Sequence, residues 1–304
     1  VTPGVLILTG PTASGKSTLA MALAERFGAE IVGADSRQIY RGMPVGTAAP
    51  SDADRARVPH HLVGVLDPSE RYSAARFVAD ALVAIDGIHA RGRRAIVVGG
   101  TGFYVRALAG DVTLSRAYDA SLRDRLAREA RLHPPDVLAA WLRVLAPERA
   151  AAIDPHDPYR VTRALEIALA ERAAGDHPPA TAPENLRMRG VPLRKLYLEI
   201  AGDELERRIA QRVDAMLAGG LCEEAERIGF GAVAADAVGY REALAFRSGW
   251  STAAELRTQL IRNTRRYAKR QATWFRIEPG LVRVGTGERF ERAAAEAGAL
   301  PGWD

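Results

Sequence analysis

Gly10-Pro11-Thr12-Ala13-Ser14-Gly15-Lys16-Ser17 fits G-x-x-x-x-G-K-[ST] at every fixed position. The apolar run Val5-Leu6-Ile7-Leu8 before it reads as a buried strand. Leu19, Met21-Ala22-Leu23 and Phe27 after it keep a helical spacing that stops at Gly28. A strand, loop and helix in this order turn successive backbone N–H groups inward and set a helix N-terminus behind them, which makes a cradle for phosphate oxygens. Gly10, Thr12, Ala13, Ser14, Gly15, Lys16, Ser17 and Thr18 are therefore the candidate diphosphate-binding residues. Lys16 neutralises the terminal phosphates, and the Ser17 hydroxyl is the candidate Mg²⁺ ligand. The motif leaves open which diphosphate it holds, since ATP carries one and so does a prenyl pyrophosphate.

A chain of 304 residues with 47% apolar content buries a sizeable core, as one large or two ordinary domains. Lys plus Arg (42) exceed Asp plus Glu (37), a mild basic excess that points weakly to a polyanionic partner. The lone Cys222 excludes an internal disulfide and suits a reducing cytoplasm. No stretch approaches the ~18 apolar residues of a membrane span, and the chain enters a strand without a signal peptide, so a cytoplasmic location is expected.

Downstream, Ala29 to Ala34 reads as a second strand that delivers Asp35-Ser36-Arg37-Gln38-Ile39-Tyr40 to its C-terminal end, the edge where parallel α/β sheets bind ligands. Residues 41–72, with much Gly and Pro, read as a long ordered active-site connection. For the adjacent His60 and His61 a hydrogen-bonding role is favoured over metal ligation, because neighbours in sequence do not share a helix face. Ser73 to Arg91 is an amphipathic helix. Ala95 to Val98 is a third buried strand, running into a second glycine-rich turn, Gly99-Gly100-Thr101-Gly102. Two such units converging on one sheet edge would form an anion pocket from two sides.

From Ser115 to about Arg189 the strand signal gives way to charged helical patterns, so residues 115–189 read as a helical insertion between core segments 1–114 and 190–304. Arg187 to Arg194 reads as a linker, Leu196 to Ile200 as a strand and Asp203 as the N-cap of a helix that ends at Gly219-Gly220. That helix carries Arg208 and Arg212 on one edge. The final long helix, near Thr252 to Arg276, has no acid between Glu255 and Glu278. It holds seven cations interleaved with Tyr267, Trp274 and Phe275, the composition of a phosphate-tracking surface with stacking partners. The fold class read from these elements is α/β, a P-loop NTPase-like parallel sheet with a helical insertion and C-terminal helices.

With these blocks in order, the chain resembles the bacterial tRNA dimethylallyltransferases, also called tRNA isopentenyltransferases, over nearly its whole length. The resemblance rests on Gly10 to Ser17, Asp35 to Met43, Gly46-Thr47-Ala48-Ala49-Pro50 and Pro59-His60-His61-Leu62. It continues through Gly99 to Tyr104, Arg160 to Glu166, Val238 to Arg241, Lys269-Arg270-Gln271 and Trp274-Phe275-Arg276. It implies transfer of a dimethylallyl group from its pyrophosphate to the exocyclic N6 of the adenosine immediately 3′ of the anticodon in tRNA. By the same resemblance Ser36, Arg37, Gln38, Thr101, Arg123, Tyr159, Arg160, Val161, Thr162 and Arg163 lie against the tRNA, as do Gly239, Tyr240, Arg241, Lys269, Arg270, Gln271, Trp274 and Arg276. The segment Ala174-Gly175-Asp176-His177-Pro178 departs from the family pattern.

The residues make chemical sense of that transfer. Breaking an allylic C–O bond leaves a cation-like carbon and a pyrophosphate of growing negative charge. Lys16, Thr101, Arg212 and Mg²⁺ on Ser17 are the candidate stabilisers of that leaving group. An adenine amino group is a poor nucleophile, and Asp35 is the candidate base that takes its proton. A role for Asp35 behind a metal ligand, or as a helix-cap partner, stays open. Partners are thus tRNA and dimethylallyl pyrophosphate, no membrane, with the chain read as a monomer. The rivals are a P-loop kinase acting on a small molecule, an adenylate prenyltransferase and a non-enzymatic RNA-binding protein. Against the kinase stands strand 95–98, which runs into Gly99-Gly100 rather than a Walker-B Asp.

Overall fold

The computed structural model describes residues 2–112, 114, 120–174 and 184–303. The Ala174 to Pro178 departure lies largely outside them. The chain divides into two compact units, one of residues 1–112 with 184–304 and one of residues 113–183. The expected 115–189 boundary therefore moves on its C-terminal side. Residues 184–189 fold with the α/β unit because the Leu186 amide donates to the Leu108 carbonyl at 2.9 Å.

In the α/β unit six parallel strands run in the order β3-β2-β4-β1-β5-β6. They are β1 (Val5–Thr9), β2 (Ala29–Gly33), β3 (His60–His61), β4 (Arg94–Val98), β5 (Leu193–Leu198) and β6 (Leu281–Val284). β1 is central, with Val5 to Leu8 in register with Ala95 to Val98 on one side and with Leu193 to Leu196 on the other. Strands covered on both faces need continuous apolar runs, and β1 and β2 are buried at every residue. Leu6, Leu8, Leu23, Ile96, Leu196, Val284 and Trp303 belong to one core cluster.

Helix α1 (Lys16–Phe27) starts at the end of the glycine loop, and Gly28 closes it in the left-handed conformation that only a residue without Cβ adopts at no cost. The 41–72 connection, read as a long ordered one without assigned elements, holds α2 (Pro44–Thr47), α3 (Asp52–Arg57) and β3. These are too short to carry a periodicity: α3 is opened by a capping box between Ser51 and Asp54, and β3 pairs only two residues with β2. His60 Nδ1 lies 2.7 Å from the Val58 carbonyl. His61 Nε2 lies 2.7 Å from Glu30 Oε2, which also takes Arg91 Nη2 at 2.6 Å. Both imidazoles are thus hydrogen-bonded within the sheet edge.

Helices α4 (Ala74–Ala90) and α5 (Gly102–Ala109) flank β4. Among the described residues the other unit holds α6 (Ala120–Leu132), α7 (Pro135–Leu145), α8 (Pro147–Ala151) and α9 (Pro158–Ala174), packed around Leu126, Leu138, Leu142, Val161 and Leu165. After β5 come α10 (Gly202–Ala218), α11 (Leu221–Ile228), α12 (Tyr240–Arg247), α13 (Ala253–Phe275) and α14 (Arg289–Gly298). The linker reading of 187–194 gives way to a turn leading into β5, which begins at Leu193. Ala201, not Asp203, is the N-cap of α10, and Asp203 lies in its first turn. Thr252 caps α13 with Glu255 in a reciprocal capping box.

Lys195, buried in β5, has its Nζ between Asp111 Oδ2 at 2.6 Å and Glu278 Oε1 at 2.7 Å. Glu278 also takes Arg106 Nε at 2.6 Å. Each buried charge is therefore compensated, as burial requires.

The tightest backbone approach is where β4 ends. A Cβ on Gly99 would sit 2.0 Å from the Ala34 carbonyl oxygen, so only glycine lets the second glycine turn lie against the end of β2. We expect Gly99→Ala to destabilise the protein by about 1–3 kcal/mol. Gly202→Ala, where an added Cβ meets nothing within 4 Å, is expected to change stability by less than ~0.5 kcal/mol. Urea unfolding of the two variants beside the parent measures the difference.

Candidate active site

The glycine loop after β1 and the turn after β4 face each other at the C-terminal edge of the sheet. One side chain joins them. The Thr12 amide donates to Gln271 Oε1 at 2.8 Å, and Gln271 Nε2 donates to the Gly100 carbonyl at 3.0 Å. Beside this bridge is a cavity of about 220 Å³ whose walls include Thr12, Lys16, Ser17, Asp35, Ser36, Arg37, Gln38, Arg212, Tyr267, Arg270 and Gln271. Residues from four distant parts of the chain thus meet in one space.

Asp35 follows β2. Its Oδ1 accepts from the amides of Arg37 at 2.9 Å and Gln38 at 3.4 Å, which fixes the carboxylate in a turn at the cavity wall. Thr101 does not line the cavity; its hydroxyl accepts from the Ser36 amide at 3.0 Å and so holds the Asp35 segment in place. Arg37 forms a bidentate pair with Asp236, with Nη2 to Oδ2 at 3.1 Å. Arg212 Nη2 donates to the Thr47 carbonyl at 3.1 Å.

Lys16 Nζ donates to the Pro11 carbonyl at 3.3 Å. Burial in the cradle lowers its pKa to about 8; Asp35 opposes the shift and the Arg212 charge adds to it. Burial also lowers the Arg212 guanidinium. The Tyr267 hydroxyl is held up by burial first and by the Asp35 charge second. Two desolvated cations in one small space form a receptor for an anion of high charge density.

The oxygen donors at the cavity suit a hard divalent cation. Ser17, the first-turn hydroxyl of α1, and Asp35 share its lining. Among the described residues no group of three His, Cys, Asp or Glu side chains forms a closed metal cage.

Comparison with known proteins fits this geometry. The family described as IPP transferase matches residues 38–278, and that described as isopentenyl transferase matches residues 3–58. A tRNA dimethylallyltransferase from Geobacter sulfurreducens is 41% identical over 294 residues, 94% of this chain and 93% of the relative. The chain belongs to the tRNA dimethylallyltransferase family. Among solved structures, the tRNA isopentenylpyrophosphate transferase of Bacillus halodurans aligns with a TM-score of 0.65 at 36% identity, covering 93% of this chain and 90% of that one. A eukaryotic dimethylallyltransferase acting on tRNA aligns with a TM-score of 0.74 at 27% identity, over 92% and 73% of the two chains. The alternatives of a small-molecule kinase and an adenylate prenyltransferase draw no support from these relatives.

Not every residue that the family resemblance places against RNA has a side chain free to reach it. Val161, 1% exposed, is core of the helical unit. Tyr240, 0% exposed, lies beneath the 44–47 segment, and Gln271, 5% exposed, has both ends of its amide engaged. Gly239, at φ +107°, is the N-cap of α12 and accepts no side-chain role. In the α/β unit Arg241, Lys269, Arg270, Trp274 and Arg276 are exposed. In the helical unit Tyr159 and Arg160 are exposed, Arg160 beside Asp157. Arg123 and Arg163 both pair with buried Glu166, at 2.9 and 2.6 Å, and Thr162 Oγ1 donates to the Pro158 carbonyl.

Gly10, Ala13, Ser14 and Gly15 form the loop itself, while Thr18 faces a neighbouring cavity of about 360 Å³ with Met21 and Val63. Sequence reasoning missed Arg289 and Asp236. Arg289 Nη1 donates to the Ser14 carbonyl at 2.9 Å from behind the loop. Neither residue sits in a motif, so no local signal pointed to it.

The lowered Lys16 pKa has a direct consequence. Only the ammonium form attracts pyrophosphate, and bound anion raises its pKa, so affinity is complete below pH 8 and weakens as pH rises through about 8. Calorimetric titration with dimethylallyl pyrophosphate is expected to show affinity falling up to tenfold per pH unit between pH 8 and 9.5. Lys16→Arg should remove that slope.

Proposed function

We propose that this protein transfers the dimethylallyl group of dimethylallyl pyrophosphate to the exocyclic N6 of the adenosine immediately 3′ of the anticodon in tRNA, releasing pyrophosphate. The observation that carries this reading is the meeting of a P-loop lysine, a half-buried arginine and an aspartate in one cavity, at the end of a β4 strand that delivers glycine instead of an acid. The C–O bond to the allylic carbon breaks and its electron pair leaves with the pyrophosphate, while the N6 lone pair forms the new N–C bond. Lys16, Arg212 and the loop amides take up the charge developing on the leaving group. Asp35 accepts the N6 proton, which makes the amino group a competent nucleophile. Ser17 would hold Mg²⁺, which would supply further charge neutralisation to the leaving group.

Reaching a base within a folded RNA requires removing it from its stack, at a few kcal/mol. Phosphate contacts and stacking from α13 offset this. Arg257 and Arg265 of that helix pair with Asp214 and Glu206 on α10. Among the described residues Arg266 and Lys269 have no carboxylate at ion-pair distance, and both are exposed. Trp274 stands 37% exposed, with Arg106 Cζ 4.9 Å from its ring centroid. In the helical unit, taken by itself, Tyr159 and Arg160 are exposed.

Asp35→Asn keeps shape and removes basicity. Turnover is expected to fall by about 10²–10⁴, with affinities for tRNA and for dimethylallyl pyrophosphate changing less than roughly tenfold. Near-parent turnover by this variant would remove Asp35 from the role of base, and loss of pyrophosphate binding would move it to the metal. Single-turnover transfer of labelled dimethylallyl to tRNA, beside an AMP control, gives both numbers.

For the RNA surface, Arg266→Ala with Lys269→Ala is expected to weaken tRNA binding and lower the slope of log K against log salt by roughly two units. Dimethylallyl pyrophosphate binding should stay unchanged. A salt series of filter-binding titrations in which parent and variant coincide would retire α13 as the RNA face.

A further inference from the structure

Glu224, on α11, is a carboxylate with 0% exposure and, among the described residues, no cation at ion-pair distance. Three hydrogen bonds hold it there. Oε2 accepts from the Val45 amide at 2.9 Å. Oε1 accepts from the Gly46 amide at 2.7 Å and from the Tyr240 hydroxyl at 2.7 Å. Tyr240 is itself fully buried, and a Cβ on Gly46 would lie 2.6 Å from its ring, so the segment and the ring are packed without slack. A carboxylate buried without a cation is costly unless its lone pairs are filled, and here two consecutive backbone donors and a phenol fill them.

The segment so gripped leads straight to the active-site cavity, whose wall includes Gly46, Thr47 and Ala48. The Thr47 carbonyl accepts from Arg212 Nη2 at 3.1 Å, and the carbonyls of Thr47 and Ala48 both lie 3.1 Å from Gln38 Nε2. Thr47 Oγ1 donates to the Met43 carbonyl at 2.6 Å, closing the turn on itself. A continuous chain of contacts thus runs from the Tyr240 hydroxyl through Glu224 and the 45–47 backbone to the Arg212 guanidinium.

We infer that Glu224 and Tyr240 are positioning residues of the transfer reaction, which aim Arg212 at the leaving pyrophosphate by fixing the Thr47 carbonyl. This rests on the prenyl-transfer reading and adds to it two residues that touch no substrate. Tyr240 accordingly acts from beneath the site and not as an RNA contact. The chemistry demands a carboxylate: a glutamine at 224 would turn its N–H₂ donor toward the Val45 or the Gly46 N–H, and that amide would lose its acceptor.

The test is a double-mutant cycle in the full-length protein, read by single-turnover transfer of labelled dimethylallyl to tRNA. Glu224→Gln is expected to lower the transfer rate 10- to 100-fold, and Tyr240→Phe, which keeps the ring and removes the hydroxyl's contacts with Glu224 and the Met43 carbonyl, 3- to 10-fold. Affinity for tRNA should stay within about twofold in both, because neither side chain is exposed. The decisive reading is coupling: in an Arg212→Ala background, Glu224→Gln and Tyr240→Phe should each cost less than about twofold more, since the group they aim is gone. If their effects instead multiply with that of Arg212→Ala, or if Tm falls while the rate holds, the pair is structural only and the inference fails. Tyr240→Phe carries the cycle alone if Glu224→Gln does not fold. Loss of tRNA affinity at retained rate would return Tyr240 to the RNA surface and equally overturn the inference. A parent protein that transfers nothing to tRNA overturns the prenyl-transfer reading itself, whereas an active parent with multiplicative variants overturns only the role of Glu224 and Tyr240.

Discussion

The Thr12 amide and the Gly100 carbonyl are bridged by a single amide side chain, that of Gln271, at 2.8 and 3.0 Å. The two loops it joins follow β1 and β4, which are neighbours in the sheet, so their separation at the base is set by strand pairing. Their separation at the tip is set by this glutamine. A buried amide with both ends matched resists displacement, since any shift leaves a donor or an acceptor unpaired. Gly100 has room for nothing else, as an added Cβ there would lie 2.0 Å from Gln271 Nε2. Protein contacts alone thus fix the distance between the two loops, the kind of rigidity that electrostatic stabilisation of a leaving group requires.

Charge in the cavity is arranged around the same frame. Lys16 and Arg212 are desolvated cations, each facing Asp35. Arg37 is held by Asp236, which leaves it a fixed strut at the rim. The basic character of α13 is uneven in the same way. Its side toward α10 is neutralised by Asp214 and Glu206, whereas Arg266 and Lys269 stand in solvent. Gln271 and Trp274 belong to that helix too, so one rigid element carries the loop bridge and the cationic surface. Trp274 in turn packs on Gly102, where an added Cβ would lie 2.0 Å from Cδ1. A helix clamped at these two points gives the exposed Arg266 and Lys269 a fixed origin relative to Lys16.

Much of this was legible in the chain itself. Val5 to Leu8 is a run apolar at every position, bounded by Gly10, and a strand buried on both faces needs that composition. Lys16 to Phe27 keeps a helical period and meets its capping glycine, so its start and stop are local. The cradle residues, Asp35 at the end of β2, the glycine turn after β4 and the long α13 follow from the same local rules of period, cap and glycine. The family resemblance added the chemistry, because the order of its blocks is more specific than any one of them.

What the chain could not say is which side chains of a block face the site and which face the core. Tyr240 and Arg241 are adjacent in sequence, yet one is fully buried against Glu224 and the other is exposed. Gln271 and Arg270 differ in the same way. In an irregular segment or on a helix packed along one flank, that choice depends on which distant element arrives opposite. Glu224, Asp236 and Arg289 have no motif at all and gain their partners only when α11, the 233–236 turn and α14 come to rest on the loops. Period, caps and glycines act over a few residues and are written in the chain. The pairing of a buried carboxylate with a backbone 178 positions away is decided by packing, because only the folded core removes the water that would otherwise satisfy it.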